Sequence, residues 1–147
     1  MTPEEFKMRT GQFQAYMREQ FTRDLLLTGT MAMAAMINNR VQMKGYNSVG
    51  EMFSPYSAAY LKYKKQNKNQ KFKNFRDKGI MWKDFGVKSE QPNKIILGGK
   101  SGESQDKINW NSSREEINII EPSQEEVDKL TKYIVDGLNK KIKEFLG

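Results

Sequence analysis

The chain has 147 residues, with 25 Lys or Arg, 18 Asp or Glu and a formal net charge of +7. It contains no cysteine and no histidine, which excludes disulfides, zinc sites with Cys or His ligands, cysteine nucleophiles and histidine acid–base catalysis. The length predicts one domain, spanning 1–147, and the mean hydropathy of −0.81 indicates a soluble protein with few core-forming residues. Such a core is often completed by a partner or by copies of the same chain.

No targeting or membrane segment is expected. The N-terminus reads Thr-Pro-Glu-Glu after the first Met and has no early apolar run, which argues against a signal peptide. The longest apolar stretch, Met31 to Ile37, is far too short to cross a bilayer. The absence of cysteine fits a reducing compartment.

Residues 3–43 predict a long N-terminal helix, because apolar residues recur there mostly at helical spacing. Thr2 is the expected cap, and Pro and two acids follow it in the first turn. Gly11 and Gly29 each weaken the helix by about 1 kcal/mol relative to Ala. The triplet Thr28-Gly29-Thr30 therefore predicts a kink.

A loop and a short helix are expected next. Turn-forming residues between Gly45 and Gly50 predict the loop, and residues 56–64 predict the helix, capped by Ser54 or Ser57. The stretch 66–74 has no periodicity and almost no apolar residue, so a mobile loop is expected there.

Three or four short antiparallel strands are predicted in the second half. Residues 80–87 and 94–98 alternate as two strands, with 89–93 as their hairpin connection. Residues 106–110 and 116–120 are candidates for a third and a fourth strand.

The last predicted element is an amphipathic helix over residues 124–145. Ser123 and Glu126 have the spacing of a capping box, and an apolar stripe follows at i, i+3/i+4. The stripe consists of Val127, Leu130, Ile134, Leu138, Ile142 and Phe145. The fold class is therefore α+β, with a long N-terminal helix, a short helix, a small antiparallel sheet and a C-terminal helix.

A fragment of a phosphate-binding pattern occurs at Gly98-Gly-Lys-Ser101. The full pattern requires a glycine five residues before the Gly-Lys pair, and that position is Lys94. No helix pattern follows that would direct amide groups at a phosphate. A hairpin turn is the favoured interpretation.

One segment carries the net charge of the whole chain. Residues 62–78 hold eight Lys or Arg and one Asp, so the remainder is neutral. Aromatic residues lie among the cations, as they do where bases stack in nucleic-acid sites. Three interpretations stay open: a solvated flexible loop at about 64–78, contact with an anionic protein surface, or contact with nucleic acid. The candidate electrostatic contacts are Lys64, Lys65, Lys68, Lys71, Lys73 and Arg76.

An ordered set of motifs carries a family resemblance. The N-terminal helix ends in Asn39-Arg-Val-Gln-Met-Lys-Gly45, and the phrase Phe53-Ser-Pro-Tyr-Ser-x-x-Tyr60 follows with three lysines. A basic gap then leads to Arg76-Asp-Lys-Gly-Ile-Met-Trp82, and Pro122-Ser-Gln-Glu-Glu126 precedes the last helix. Over about two thirds of the chain, this order resembles the tail-completion and head–tail joining (neck) proteins of tailed bacteriophages, of the virion-morphogenesis type.

The resemblance implies a non-enzymatic virion protein without cofactor or metal. Such proteins form a ring, commonly of six copies, at the head–tail junction after assembly in the host cytoplasm. The implied partners are copies of the chain, head-connector or portal-proximal proteins and tail-tube proteins, with DNA in the lumen as a further contact and no membrane. The structural motif residues would be Tyr56, Tyr60, Gly79, Met81 and Trp82. The alternative function is a small basic nucleic-acid-binding module, and an enzyme ranks third.

Overall fold

The computed structural model describes residues 1–63, 73–76 and 79–147, so most of the predicted basic loop lies outside the described residues. The architecture is mixed: helices accompany one small antiparallel sheet, which has two strands in the described ranges. The helices are α1 (Pro3–Glu19), α2 (Thr28–Asn38), α3 (Ala58–Tyr63), α4 (Ile80–Lys83), α5 (Gly102–Glu115) and α6 (Gln124–Leu146), with π-helical turns at Thr22–Leu27 and Asn39–Met43. The strands are β1 (Phe85–Gln91) and β2 (Lys94–Gly99).

The N-terminal helical region extends from Pro3 to Met43, close to the prediction. The Glu5 amide donates to Thr2 Oγ1 at 3.1 Å and the Thr2 amide donates to Glu5 Oε2 at 2.8 Å, which completes a capping box. The kink predicted at 28–30 stays a prediction: α2 begins at Thr28, directly after a π-helical turn that ends at Leu27. The helical region departs from α-helical geometry at two π-helical turns, Thr22–Leu27 and Asn39–Met43.

Two glycines allow the N-terminal helices to approach α6 closely. A Cβ on Gly29 would lie 2.7 Å from Leu130 Cδ1 and 2.9 Å from Tyr133 Cδ1. A Cβ on Gly137 would lie 2.5 Å from Leu25 Cδ2. Leu130 and Tyr133 thus occupy the space beside Gly29, and Leu25 occupies the space beside Gly137, which gives both glycines a role in helix packing.

The sheet is a hairpin in which β1 and β2 pair antiparallel, from Phe85 opposite Gly99 to Gln91 opposite Lys94. The second strand agrees closely with its predicted limits. The predicted limits of the first strand, 80–87, are wrong: its first four residues form α4, and β1 extends into the segment predicted as the connection. A strand would send Met81 and Trp82 to opposite faces, whereas a helical turn buries both.

The third and fourth predicted strands are not found. Residues 106–110 lie within α5, where the Ser104 amide donates to Ser101 Oγ at 3.1 Å as an N-terminal cap. Residues 116–120 follow the end of that helix as turns, in which Ile119 and Ile120 are both buried. Short apolar runs do not distinguish a strand from a buried helix or turn by periodicity alone.

One hydrophobic cluster joins elements distant in sequence. It consists of Met33, Ile37, Val41, Phe53, Phe75, Met81, Trp82, Ile108, Ile119 and Ile120. The cluster therefore connects the N-terminal helical region, the central segments and α5 with the turn that follows it. Within the described part of the chain, no helix is long and apolar enough to span a membrane.

A buried ion pair connects the end of the N-terminal region to α6. Arg40 Nε donates to Glu126 Oε1 at 2.8 Å and Arg40 Nη2 donates to Glu126 Oε2 at 3.2 Å. Arg40 Nη1 also donates to the carbonyl oxygen of Tyr46 at 2.9 Å, and Nη2 also donates to that of Glu121 at 2.7 Å. Glu126 Oε2 also accepts from the Ser123 amide, so the predicted capping box of α6 is confirmed and its carboxylate has a second, tertiary partner.

Candidate partner-binding surfaces

The motif residues of the family resemblance lie together. The Tyr56 hydroxyl donates to Asn74 Oδ1 at 3.2 Å, and the Trp82 indole N–H donates to the Asn74 carbonyl oxygen at 2.8 Å. The rings of Tyr56 and Tyr60 stack with centroids 4.7 Å apart. Asn74 therefore connects Tyr56, in the motif Phe53–Tyr60 that we call the tyrosine phrase, with Trp82 in α4. In the sequence, the tyrosine phrase precedes the basic run and α4 follows it.

Phe75 has an unusual backbone, with a φ of +56°. This left-handed conformation costs a bulky residue about 1–2 kcal/mol, and it persists only where surrounding contacts compensate. Phe75 is 7% exposed and packs edge-on against Phe53, with the two ring centroids 4.9 Å apart. Gly79 has a φ of +81° immediately before α4, a conformation that glycine adopts without that cost.

Burial raises the pKa of the Tyr56 hydroxyl from 10.0 to about 12, and the neighbouring Tyr60 adds to the shift. Tyr56 is therefore a neutral hydrogen-bond donor throughout the physiological range. In the described structure its hydroxyl anchors the side chain of Asn74.

The predicted electrostatic contacts divide into three groups. Lys64, Lys65, Lys68 and Lys71 lie outside the described residues. Lys73 forms an internal ion pair with Glu115 at 2.5 Å, where the two side chains are 14% and 8% exposed. Arg76 is exposed and borders a cleft of about 560 Å³ together with Gln42 and Lys83. Arg76 thus faces solvent, whereas Lys73 connects its segment to α5.

A larger cavity of about 590 Å³ lies between the tyrosine phrase, the segment 73–76 and α5. Its described aromatic lining residues are Tyr56, Tyr60, Phe75 and Trp110, and its described charged groups are Lys73, Lys107, Arg114 and Glu115. We call it the aromatic–basic cavity. Sequence reasoning misses the contribution of α5 because it interprets residues 106–110 as a strand. The signal is the spacing of Lys107, Trp110 and Arg114, which places them on one helical face.

The Gly98-Gly-Lys-Ser101 segment ends β2 and caps α5. The sequence expectation that no helix follows it is wrong. Nevertheless, Ser101 Oγ donates to Asp84 Oδ2 at 2.9 Å and accepts from the Ser104 amide. The hydroxyl is thus committed to the helix cap, and the carboxylate beside it disfavours an anion. The segment therefore has a structural role in joining the hairpin to α5.

The apolar faces of α1 and α6, which we call the helical arm, are incompletely covered. Phe145 contacts Phe13 and Tyr16, with ring centroids 6.1 and 5.8 Å apart. Among α1 residues only Tyr16 is buried, and the only buried residue of α6 is Glu126. None of the six stripe residues predicted for α6 is fully buried, and Ile142 is exposed, as is Phe6 on α1. The arm thus retains apolar surface that another chain can cover.

No cluster of three or more acidic residues that would hold a metal ion occurs within the described ranges. Comparison of the chain with protein-family models, with curated proteins and with solved structures finds no match.

Proposed function

We propose that this chain is a structural virion protein of a tailed bacteriophage, a tail-completion or neck component that joins tail to head by protein–protein contacts. The ordered motifs of the resemblance support the place in the virion. The observation that carries the mechanism is the helical arm, whose apolar stripes are left partly open in the isolated chain.

The charges of the arm suit association with further copies of the chain. α1 has three acidic and three basic residues, and α6 has five of each, so both helices are neutral. Electrostatic repulsion therefore does not oppose close packing of one arm on another. Helices with such stripes gain stability when a further helix covers them, as in bundles and subunit interfaces. A ring, commonly of six copies in the resembling family, is the expected assembly, with head-connector and tail-tube proteins as its neighbours.

Immunolabelling tests the place in the virion. Gold-labelled antibody against this chain, applied to intact virions of the source phage and viewed by electron microscopy, is expected to mark the head–tail junction. Absence of label and of the chain from particles that contain their other neck proteins would refute the assignment.

Analytical ultracentrifugation tests the role of the arm. We expect concentration-dependent association of the purified chain, which Phe6→Glu and Ile142→Glu weaken by placing a charge on the open stripes. Val49→Glu is the matched control, because Val49 is an exposed apolar residue in the loop after Met43, remote from α1 and α6 in sequence. A monomer at all concentrations, or equal effects of the three variants, contradicts the proposed use of the arm.

The second candidate is a nucleic-acid-binding module. The observation in its favour is the net charge of +7 in residues 62–78, combined with Lys107 and Arg114 beside the exposed ring of Trp110. Binding of this type falls steeply with salt, because each neutralised phosphate releases counterions. Fluorescence anisotropy with single-stranded oligothymidylate over a salt series measures it directly.

A further inference from the structure

The aromatic–basic cavity has a positively charged rim over an internally neutralised wall. Lys73 and Glu115 neutralise each other inside the protein, and the Lys73 ammonium lies 5.8 Å from the ring centroids of both Tyr56 and Phe75. Lys107 pairs with Glu103 at 3.2 Å, but Glu103 is largely exposed, and an ion pair of this kind is weak. Among the described residues that line the cavity, Lys107 and Arg114 therefore supply the excess positive charge.

Arg114 can donate hydrogen bonds to a carboxylate. Its guanidinium carbon lies 4.7 Å from the ring centroid of Trp110. A guanidinium over an aromatic face keeps its N–H groups at its edge, and that planar fork matches a carboxylate with two parallel hydrogen bonds. The Trp110 side chain is 58% exposed, so a large apolar surface lies next to the Arg114 guanidinium.

The cavity suits a peptide better than a nucleic-acid strand. Non-specific strand binding uses a continuous basic groove with successive open aromatic faces. Here Tyr56 and Tyr60 stack on each other, and the Glu115 carboxylate forms part of the wall. A volume of about 590 Å³ accommodates one or two side chains, and the rim supplies cations for an adjacent carboxylate.

We propose that the aromatic–basic cavity binds an acidic peptide segment of a partner protein, with an aromatic side chain inserted beside Trp110 and a neighbouring Asp or Glu held by Arg114 and Lys107. The inference takes one premise from the proposed function, namely that the chain acts by binding another protein. It does not involve the helical arm or self-association.

The test uses a short fluorescein-labelled peptide, rich in Gly and Ser, in which each of two Phe residues is flanked by Asp. We expect it to bind the full-length chain in an anisotropy titration, and we expect the peptide with Asn in place of Asp to bind at least about fivefold more weakly. In nitrogen-15 NMR spectra, the indole N–H signal of Trp110 should shift on titration. The indole signal of Trp82 should not, because its N–H is bonded internally to Asn74.

Variants locate the site. Arg114→Glu and Trp110→Ala should each weaken peptide binding about tenfold, and Lys107→Glu should weaken it as well. The matched control is Lys129→Glu, because Lys129 forms the same i, i+4 pair with Glu125 on an exposed helix surface. Trp110 and Arg114 are exposed, so unchanged circular dichroism spectra are expected for these variants.

The outcomes separate this inference from the proposed function. Absence of peptide binding, or equal binding of the Asp and Asn peptides, overturns the inference, whatever the ultracentrifugation and labelling experiments show. Binding of oligothymidylate in preference to the peptide, weakened by Arg114→Glu, also overturns it and favours the nucleic-acid function. Acidic-peptide binding by a chain that is absent from the neck would leave the cavity assignment intact and refute the virion assignment.

Discussion

Three glycines inside helices provide a direct test of the packing between the N-terminal region and α6. Replacement of Gly by Ala in a helix interior stabilises the helix by about 1 kcal/mol. At Gly11 no packing neighbour lies within 4 Å of the position that a Cβ would take, so Gly11→Ala should raise the free energy of unfolding by about 1 kcal/mol. The melting temperature should rise by about 2–4 °C.

The same substitution at Gly29 should have a different result. Its Cβ would lie 2.7 Å from Leu130 and 2.9 Å from Tyr133, and overpacking of this kind costs roughly 1–3 kcal/mol. After the gain in helix propensity, Gly29→Ala should lower the free energy of unfolding by about 0–2 kcal/mol. Urea denaturation followed by far-ultraviolet circular dichroism, at one fixed protein concentration, measures both variants. Equal stabilisation by Gly11→Ala and Gly29→Ala would refute the close helix approach.

Gly137 allows a double-mutant cycle on the same packing. The new methyl group of Gly137→Ala would meet the side-chain end of Leu25 at 2.5 Å. Leu25→Ala alone should destabilise by about 2–5 kcal/mol through the cavity that it leaves. In the Gly137→Ala background it should cost less, with a coupling energy of about 0.5–3 kcal/mol. Strict additivity would show that the two side chains do not meet.

Three further predictions concern single groups. Arg40→Ala leaves the Glu126 carboxylate buried without its cation and should cost about 3–5 kcal/mol in urea denaturation; a loss below about 1 kcal/mol would contradict the buried pair. Glu116 is exposed with a φ of +57°, so Glu116→Gly should stabilise by about 1 kcal/mol and Glu116→Ala should not. The Tyr56 pKa is raised from 10.0 to about 12, so the unfolded chain loses this proton first and stability should fall as pH rises from 10.0 to about 12. Tyr56→Phe should remove that part of the pH dependence, and an unchanged slope would count against the shift.

The elements with complete local signals are predictable from the sequence. The C-terminal helix has a capping box, a continuous apolar stripe and a favourable charge order, and its observed limits differ from the prediction by about one residue at the C-terminal end. The second strand and the long N-terminal helix are likewise predictable, since their signals lie within the segments themselves. The short helix begins two residues later than predicted, where the Tyr60 amide donates to Ser57 Oγ as one of the two proposed caps.

The elements without complete local signals are not predictable in this way. Residues 106–110 lack a decisive apolar period. The local signals for α5 are its cap at Ser101 and the helical spacing of Lys107, Trp110 and Arg114, and the burial of Ile108 against the core depends on the tertiary structure. The packing role of Gly29 is not predictable, because nothing in the neighbouring sequence indicates the partner helix. The partner, α6, lies about one hundred residues later in the chain, and its position is decided by packing.

The candidate site shows the same division. The sequence alone established the absence of thiol and imidazole chemistry, the concentration of positive charge in residues 62–78 and the tyrosine phrase that precedes it. Tertiary structure decided that Asn74 connects Tyr56 to Trp82, that Lys73 is paired internally with Glu115, and that α5 contributes Trp110 and Arg114 to the cavity. The physical reason is that composition, capping and periodicity act within a few residues along the chain. Ion pairs, cavities and interhelical contacts depend instead on which distant segments share a core.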